Sequence, residues 1–403
     1  MPFSSFLARP LAARPVWGIS LLSVLVLSAC GGSDDPATGS MRLAMTDTPA
    51  CGYDHIYVTV LGAKVHRNAN AVDGDEGWYH FTVPGLPKRI DLLALSNGVL
   101  EELGQTPVPS GSYSQLRLLL GSSGAQAPFA HSVVVSGGAG GPAVEHLLTT
   151  PSAQQSGLKL NVNLVVQANQ LADFVLDFNA CKSVVVAGNS GKHLLKPVMA
   201  VFPRVATGMA VDGFVSNWTA RTAVSLQLNG AVVRSTLPDA NGYFVLPYLP
   251  TTGSGFDLVV STPDRRTQVV TAVPVTATTI TRVGSSALPI VLGASASQVL
   301  SGATSLGLAV PDATLDVSQE VAVGKSVELA TRRADSETGA YRFELPAAPL
   351  SRAAFAAAPA GLAWNPYPAS AAQFTVRGVV PVLPAQSGAV NLSGGPVVRD
   401  FAF

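Results

Sequence analysis

Alternation of apolar and polar side chains constrains this 403-residue chain more than any other feature. Leucine and valine alternate with lysine and asparagine over residues 158–166, and Phe174, Leu176 and Phe178 alternate with their neighbours in the same way. Successive side chains of a strand point to opposite faces of a sheet, so a period of two predicts strands with one buried face. Residues 55–66, rich in valine, are a further strand candidate.

Turn signals separate these strand candidates. Asn229-Gly230 between two apolar runs predicts a type I′ hairpin. The chain has 38 glycines and 29 prolines, and short strands punctuated by these residues indicate β-sandwich domains. Residues 96–104 alone are predicted to be helical, with Ser96 or Asn97 as the cap and Gly104 as the stop.

Composition excludes several classes of protein. Hydrophobic residues make up 47% of the chain and charged residues only 12%, which excludes general disorder. The formal net charge is zero, and this argues against binding nucleic acid through net positive charge. The mean hydropathy of +0.34 raises the question of membrane contact.

The N-terminus carries the one uncharged run whose length approaches that of a spanning helix, Pro15–Cys30. Arg9 and Arg14 precede it, and small residues end it in the sequence Leu27-Ser28-Ala29-Cys30. A basic start, a short apolar stretch and small residues at the end are typical of a secretory signal peptide. The last four residues resemble the bacterial lipobox, which implies cleavage before Cys30 and attachment of palmitate and other acyl chains there. A plain signal peptide with an incidental cysteine is the alternative.

This interpretation makes residues 1–29 a lipoprotein signal peptide and residues 30–40 a lipidated cysteine followed by a flexible tether. Removal of residues 1–29 leaves 23 basic and 25 acidic residues, a net charge of −2. Gly31 stands where an aspartate would resemble the inner-membrane retention signal, which favours the bacterial outer membrane. The membrane is therefore a predicted partner, through the lipid anchor at Cys30. The periplasmic side and the cell surface stay open.

Two cysteines remain after lipidation of Cys30. An even pair in an exported protein predicts a disulfide between Cys51 and Cys181, with two free thiols as the alternative. Closing a loop of about 130 residues would stabilise the fold by roughly 4–5 kcal/mol in the chain-entropy model.

The second half of the chain contains an internal repeat. In its best-matched element an aspartate caps a turn, a glycine takes positive φ and an aromatic residue packs inward. The matched pairs are 211–215 with 300–304, 239–244 with 335–343, and 271–275 with 378–382. These residues resemble the carboxypeptidase-regulatory-like or transthyretin-like β-sandwich repeat, and we expect two such domains at 207–294 and 295–403. The second copy departs from the pattern in an extra turn residue and an alanine-rich stretch at 353–363.

The first folded domain, 41–206, shows a longer resemblance. Its matching segments are 41–49, 89–93, 97–98, 109–118 and 157–160. Their succession resembles the bacterial lipoprotein family known as domain of unknown function 4382, which implies export and a β-rich fold and supplies no catalytic residues. Within it, a proline and glycine corner that delivers Tyr113 to a strand predicts a tyrosine corner.

Two segments suggest ligand chemistry. Residues 188–193 are similar to a phosphate loop, but Val186 and His193 stand where that motif needs glycine and serine or threonine, so we expect a hairpin turn. An oxygen-rich loop over residues 68–76 offers the ligands that calcium prefers, but Gly77 stands where an EF-hand needs an acid or asparagine. A solvated loop is the preferred interpretation there. Asp47 and Asp54 beside Cys51 fit a cation site or, preferably, a turn.

No residue is predicted to be catalytic or to bind a metal. The six histidines form no H-x-H or H-E-x-x-H unit, and no G-x-S-x-G elbow occurs. The sequence predicts a non-enzymatic, outer-membrane-anchored lipoprotein of three tandem β-sandwich-like domains that serves in binding, adhesion or envelope scaffolding. Its expected partner is a glycan or an envelope protein, not nucleic acid, and no cofactor is assigned, with calcium left open. The alternatives are an envelope hydrolase or metal-dependent enzyme with its site in 41–206, or an accessory subunit of a surface or secretion assembly.

Overall fold

A computed structural model describes residues 37–47, 53–82, 85, 87–124, 126–137, 141–150, 157–188, 191–204, 208–357 and 360–403. Ala37–Phe403 form one compact unit. The predicted all-β class is confirmed. The described part contains one short helix, α1 (Ala180–Ser183), two further 3-10 turns at Leu92–Leu95 and Pro368–Ser370, and otherwise strands and loops. None of its helices is long and apolar enough to cross a membrane.

The first module is built from two sheets around one apolar core. One sheet has the order β13-β10-β1-β5, and the other has the order β11-β12-β8-β7-β2-β6-β9, with β3 and β4 also paired to β2. Its strands are β1 (Thr38–Asp47), β2 (His55–His66), β3 (Tyr79–Phe81), β4 (Lys88–Asp91), β5 (Glu101–Pro109), β6 (Gly111–Leu120), β7 (Ser132–Gly137), β8 (Gly141–Thr149), β9 (Leu158–Val166), β10 (Leu171–Phe178), β11 (Val184–Ala187), β12 (Lys192–Leu195) and β13 (Met199–Pro203).

The second and third modules have the same strand order. The second packs β17-β14-β20, with β21 also on β14, against β16-β15-β18-β19. The third packs β25-β22-β30, with β31 also on β22, against β24-β23-β28-β29. The second module's strands are β14 (Val211–Ser216), β15 (Ala223–Leu228), β16 (Ala231–Thr236), β17 (Tyr243–Leu246), β18 (Phe256–Thr262), β19 (Arg265–Val273), β20 (Thr281–Val283) and β21 (Ile290–Val291). We call the stretch that forms the third module and also carries β26 and β27 the third segment. Its strands are β22 (Ser297–Ser305), β23 (Thr314–Ala322), β24 (Lys325–Arg333), β25 (Ala340–Pro346), β26 (Ser351–Ala354), β27 (Asn365–Pro366), β28 (Gln373–Val379), β29 (Gln386–Asn391), β30 (Val397–Val398) and β31 (Phe401–Ala402).

Two strands of the third segment lie in the second module's sheet. β26 pairs in parallel with β19, and β27 pairs with β26, so these crossing strands extend the sheet to six strands. Leu350, fully buried, packs beside them with Val259 and Val269 of the second module and Val321 and Val327 of the third. This shared apolar cluster joins the modules. The crossing strands border the alanine-rich stretch 353–363 that departs from the repeat pattern, because β26 ends at its start and β27 follows it. The boundary at 294/295 stays a prediction.

Several local predictions are confirmed. β2 spans His55–His66, and Asn229 and Gly230 both have positive φ between β15 and β16, as a type I′ hairpin requires. The predicted helix at 96–104 is wrong. Asn97 and Gly98 form a turn with positive φ, and the backbone from Glu101 onward pairs with β1. Tertiary strand pairing therefore overrides the local helix signal.

The repeat motif is confirmed at its turns. Asp239 accepts hydrogen bonds through Oδ1 from the amides of Asn241 and Tyr243, at 2.8 and 2.9 Å, and Phe244 is fully buried. Asp335 accepts in the same way from the two residues Glu337 and Thr338. The matched pair 271–275 and 378–382 is wrong, because the first ends β19 and the second ends β28, and strand order makes β28 equivalent to β18.

Candidate functional site

The cysteine predictions fall largely outside the described residues. Cys30 and Cys51 lie outside them. Cys181 lies in α1, where its backbone is described and its side chain is not. The lipid attachment at Cys30 and the disulfide between Cys51 and Cys181 therefore stay predictions.

The oxygen-rich loop is anchored to buried cations. Asp73 forms an ion pair with Lys64 through Oδ1, and Arg117 Nη1 lies 3.4 Å from the same oxygen. The pairing with Lys64 holds the pKa of Asp73 below its usual value. Gln115, fully buried, donates to three carbonyl oxygens of the loop. Asp73 thus neutralises protein cations, and residues 72–76 of the loop are exposed, as the solvated-loop interpretation predicts.

Asp47 has a structural role. Its Oδ1 accepts the amide of Ala180 at 2.9 Å, at the start of α1, and the side chain is buried. A carboxylate in that position satisfies a helix-terminal donor. Across the described residues, no three histidine, cysteine, aspartate or glutamate side chains stand close enough together to hold a metal ion.

The best-buried histidine, His131, holds loops together. Its Nδ1 accepts the amide of Thr59 at 3.1 Å and its Nε2 lies 2.7 Å from the carbonyl oxygen of Gly121, so the neutral Nε2–H tautomer satisfies both. Burial lowers the pKa of His131, which keeps the ring neutral. Burial, and then the nearby His146, likewise lower the pKa of His193. His193 lies on β12, which forms the predicted hairpin with β11.

A cavity of about 480 Å³ lies where the three modules meet. We call it the junction cavity and define it by Tyr53 and Lys182 of the first module, Arg221 and Ser235 of the second, and Arg332 and Glu344 of the third, among other lining residues. Its volume falls within the range of small-molecule sites, about 300–1,000 Å³. None of the sequence-predicted site residues with a described side chain lies in it.

Hydrogen bonds between side chains of one module and the backbone of another fix the cavity walls. Asp335 accepts the amide of Gly188 through Oδ2 at 2.7 Å, which joins the third module to the β11–β12 hairpin. Gln227 and Glu328 exchange two hydrogen bonds, in which the Gln227 side chain donates to the Glu328 carbonyl oxygen at 2.7 Å and accepts its amide at 2.8 Å. Arg333 donates to the carbonyl oxygen of Lys182 at 3.0 Å. These contacts connect all three modules around one space.

Cationic groups outnumber acidic groups in the lining. The cations are Lys182, Arg221, Arg332, Arg333 and Arg342. The acids are Glu328, Asp335 and Glu344. Asp312, outside the lining, accepts a hydrogen bond from Arg333 at 2.7 Å, and the positive charge that remains raises the local concentration of anions.

Each of the three acids already has partners. Arg221 donates to Glu344 at 2.7 Å and Arg342 lies 3.5 Å from its other oxygen. The hydrogen bond from Arg221, more than any other contact, lowers the pKa of Glu344. Glu328 lies 4.0 Å from Lys182, and Asp335 accepts backbone amides. The acids of the lining are therefore occupied in holding the modules.

Arg332 is the exception among the cations. Its guanidinium lies over the Phe343 ring, 5.1 Å from the centroid, and forms no hydrogen bond or ion pair with any residue that the structure describes. The Arg332 side chain is exposed to the solvent of the cavity, and partial desolvation by the surrounding protein lowers its pKa. Among the neighbouring groups, Tyr53 and Glu344 act to raise that pKa, while Arg221 and Arg342 act to lower it.

Sequence reasoning missed these residues. Arg332 and Arg333 are adjacent near the end of β24, where side chains alternate between faces, and no motif spacing relates them to Arg221. Only the packing of three modules brings them together. The adjacent arginines are the one local signal that could have marked the site.

The fold and the cavity define a class, that of multi-module all-β proteins with an intermodular cleft. The family model described as Domain of unknown function (DUF4382) matches residues 38–197, which confirms the resemblance of the first module. No curated protein sequence matches the chain.

Solved structures give weak likenesses. A mutant type II cohesin–X-dockerin complex from Acetivibrio cellulolyticus is 21% identical over 22% of this chain and 59% of its own, with a TM-score of 0.18. The TIE protein of Bacillus anthracis is 11% identical over 92% and 58%, also with a TM-score of 0.18, so this chain spans under two thirds of both. The full-length major pilin SpaD from Corynebacterium diphtheriae is 8% identical over 91% and 97%, with a TM-score of 0.19. Scores this low carry no argument about function.

Proposed function

We propose that this chain is a non-enzymatic, lipid-anchored protein of the bacterial outer membrane that presents a rigid three-module body for binding or scaffolding. The observation that carries the proposal is the connection between the modules. Strands β26 and β27 lie in the neighbouring sheet, and buried Leu350 belongs to an apolar cluster shared by two modules. A body joined in this way holds its surfaces in fixed relative positions, which suits a receptor or a scaffold better than a flexible spacer does.

The anchor part of the proposal rests on the sequence. Leu27-Ser28-Ala29-Cys30 follows a basic start and a short apolar run, and residues 31–37 supply a Gly, Ser and Asp tether. The tether expected to reach residue 40 is shorter, because β1 begins at Thr38. A single acyl chain binds membranes only marginally, so a multiply acylated cysteine is the stable form of such an anchor.

The experiment that tests the anchor is metabolic labelling with radioactive palmitate in a bacterial host, followed by membrane fractionation. We expect label in the wild-type chain, none in Cys30→Ala, and co-sedimentation of the wild type with outer-membrane markers. Cys181→Ala is the matched control and should keep its label. Absence of label from the wild type, or equal label in Cys30→Ala, would overturn the lipid anchor.

A second measurement tests the non-enzymatic role. The purified protein should leave a panel of generic esters and glycosides unhydrolysed. Turnover that survives purification through several columns would instead support the hydrolase alternative.

A further inference from the structure

We propose that the junction cavity binds a small organic anion, a hydroxylated carboxylate of the size of a sugar acid, and that the Arg332 guanidinium receives its carboxylate. The proposal rests on the binding role given above and names the ligand class for it. It rests on four observations: the volume of the cavity, its surplus of cations, the absence of a hydrogen bond or ion pair from Arg332 to any described residue, and the hydroxyl groups in the lining.

The charge balance favours an anion. Lining cations exceed lining acids, and every lining acid already accepts hydrogen bonds or ion pairs from the protein. A ligand carboxylate therefore meets available positive charge without displacing a protein carboxylate. A cationic ligand would find no available acid in the described lining.

Arg332 supplies the specific contact. Its charge is partly desolvated, and two other arginines lie close to it. None of its five N–H donors forms a hydrogen bond with an oxygen atom in the described part of the chain. A guanidinium binds a carboxylate through two parallel hydrogen bonds, and this geometry is the strong form of such contacts. The Phe343 ring below it holds the guanidinium plane in place.

The remaining lining suits a hydroxylated ring. Ser235 and Ser261 contribute hydroxyl groups, while Val184, Val186 and Leu237 contribute an apolar wall. Hydroxyl and amide groups bind the edges of a sugar-like ring, and apolar side chains cover its faces. A bare inorganic ion would leave most of this volume unused.

Replacement of Arg332 should also change the melting temperature differently from replacement of an arginine with a purely structural role. Tyr53 and Glu344 act to raise the pKa of Arg332, while Arg221 and Arg342 repel its charge, and none of the described side chains forms an ion pair with it. Replacing it by a neutral residue should therefore leave the melting temperature unchanged or raise it, although binding is lost. Groups that serve a site commonly lower the stability of the unliganded protein.

The test uses the full-length protein in a non-ionic detergent, with glucuronate and galacturonate as probes in ligand-observed NMR and thermal-shift titrations. Glucose and galactose are the uncharged counterparts, and inorganic phosphate tests for a bare anion. We expect saturable binding of at least one sugar acid, none of its neutral counterpart, and at least tenfold weaker binding in Arg332→Gln. Arg332→Lys keeps the charge but not the fork, and should weaken binding less.

Arg399→Gln is the matched control, because Arg399 belongs to the same segment, lies 5.7 Å from the centroid of the Phe401 ring, and does not line the cavity. It should bind the probe as the wild type does. Equal binding of neutral sugars, equal loss of binding in Arg399→Gln, a lowered melting temperature in unliganded Arg332→Gln, binding of phosphate alone, or no binding of any probe would each overturn the proposal. None of these outcomes depends on the palmitate-labelling experiment. A failure of the ligand-site proposal can therefore be distinguished from a failure of the lipid-anchor proposal.

Discussion

The second and third modules share a strand order but differ in how they contact the rest of the chain. Asp239 in the second module caps only its own turn, whereas Asp335 in the third caps the equivalent turn and also accepts the amide of Gly188 from the first module. The third segment alone sends two strands into its neighbour's sheet. The two modules thus share a fold but differ in their contacts with neighbouring modules. The third segment makes the contacts that join the three modules.

This difference locates the junction cavity. Its cationic wall comes mainly from β24 and β25, the strands that precede and follow the Asp335 turn. The equivalent strands of the second module, β16 and β17, contact the first module through other residues. Asn97, for example, accepts the amide of Val245 at 3.1 Å.

The largest expected effect tests the joining of the two modules. Leu350→Ala removes a fully buried side chain from the shared apolar cluster and should lower the free energy of unfolding by about 4 kcal/mol. Hydrogen exchange should accelerate in both modules, at β18 and β19 as well as at β23 and β28. Leu308→Ala, in a fully exposed side chain of the same segment, should change stability by less than about 0.5 kcal/mol.

The outcome that would contradict this joint role is faster exchange confined to β23 and β28. In that case the crossing strands would not stabilise the second module's sheet, and the two modules would unfold independently.

A smaller effect tests the equivalence of the repeats. A Cβ on Gly213 would lie 2.1 Å from the Val283 carbonyl oxygen, and one on Gly302 would lie 1.8 Å from that of Arg399. Both obstacles are backbone atoms on the adjoining parallel strand or its continuation, so Gly213→Ala and Gly302→Ala should each lower the free energy of unfolding by about 2–3 kcal/mol in urea titrations. Strongly unequal losses would argue against equivalent packing.

Gly324→Ala is the control for this pair. Gly324 has φ of +72° and no atom near its Cβ position, so alanine there meets only the backbone strain of about 1 kcal/mol.

Sequence reasoning reached the parts of the fold that depend on local chemistry. Period-two alternation located β9 within the residues Leu158–Val166, and the proline and glycine corner placed Tyr113, whose hydroxyl donates to the Pro109 carbonyl oxygen at 2.8 Å. These signals are contained in a few neighbouring residues, because a strand face and a turn are local objects.

The contacts between modules could not be predicted from the sequence. Ser96 and Asn97 look like helix caps, but the Asn97 side chain instead binds Val245 in another module. The crossing strands border an alanine-rich stretch that departs from the repeat pattern, and Arg332 gains its environment only when three modules meet. Long-range pairing and charge clustering depend on which surfaces meet, and one sequence does not specify that locally.

The smallest expected effect separates the two capping aspartates. Asp335→Asn keeps the Oδ1 acceptor for its own turn but sets an amide N–H₂ against the Gly188 amide, so it should lower the free energy of unfolding by about 1–2 kcal/mol. Asp239→Asn keeps Oδ1 for Asn241 and Tyr243, and should change it by about 0.5 kcal/mol or less.

The pH dependence of the Asp335→Asn effect identifies its cause. Burial acts to raise the pKa of Asp335, but the amides of Thr338, Glu337 and Gly188 outweigh it and hold that pKa below its usual value. A carboxyl whose folded pKa is depressed stabilises the protein above the unfolded value of about 3.9 and loses that contribution as the pH falls through the folded pKa. The stability gap between wild type and Asp335→Asn, measured by urea titration, should therefore be full at pH 7 and narrow below about pH 4. If the difference in stability between wild type and Asp335→Asn stays constant at acidic pH, the asparagine amide disturbs packing rather than removing a charged acceptor. In that case the turn of the third module would contribute no more to the contact with the first module than the turn of the second module does.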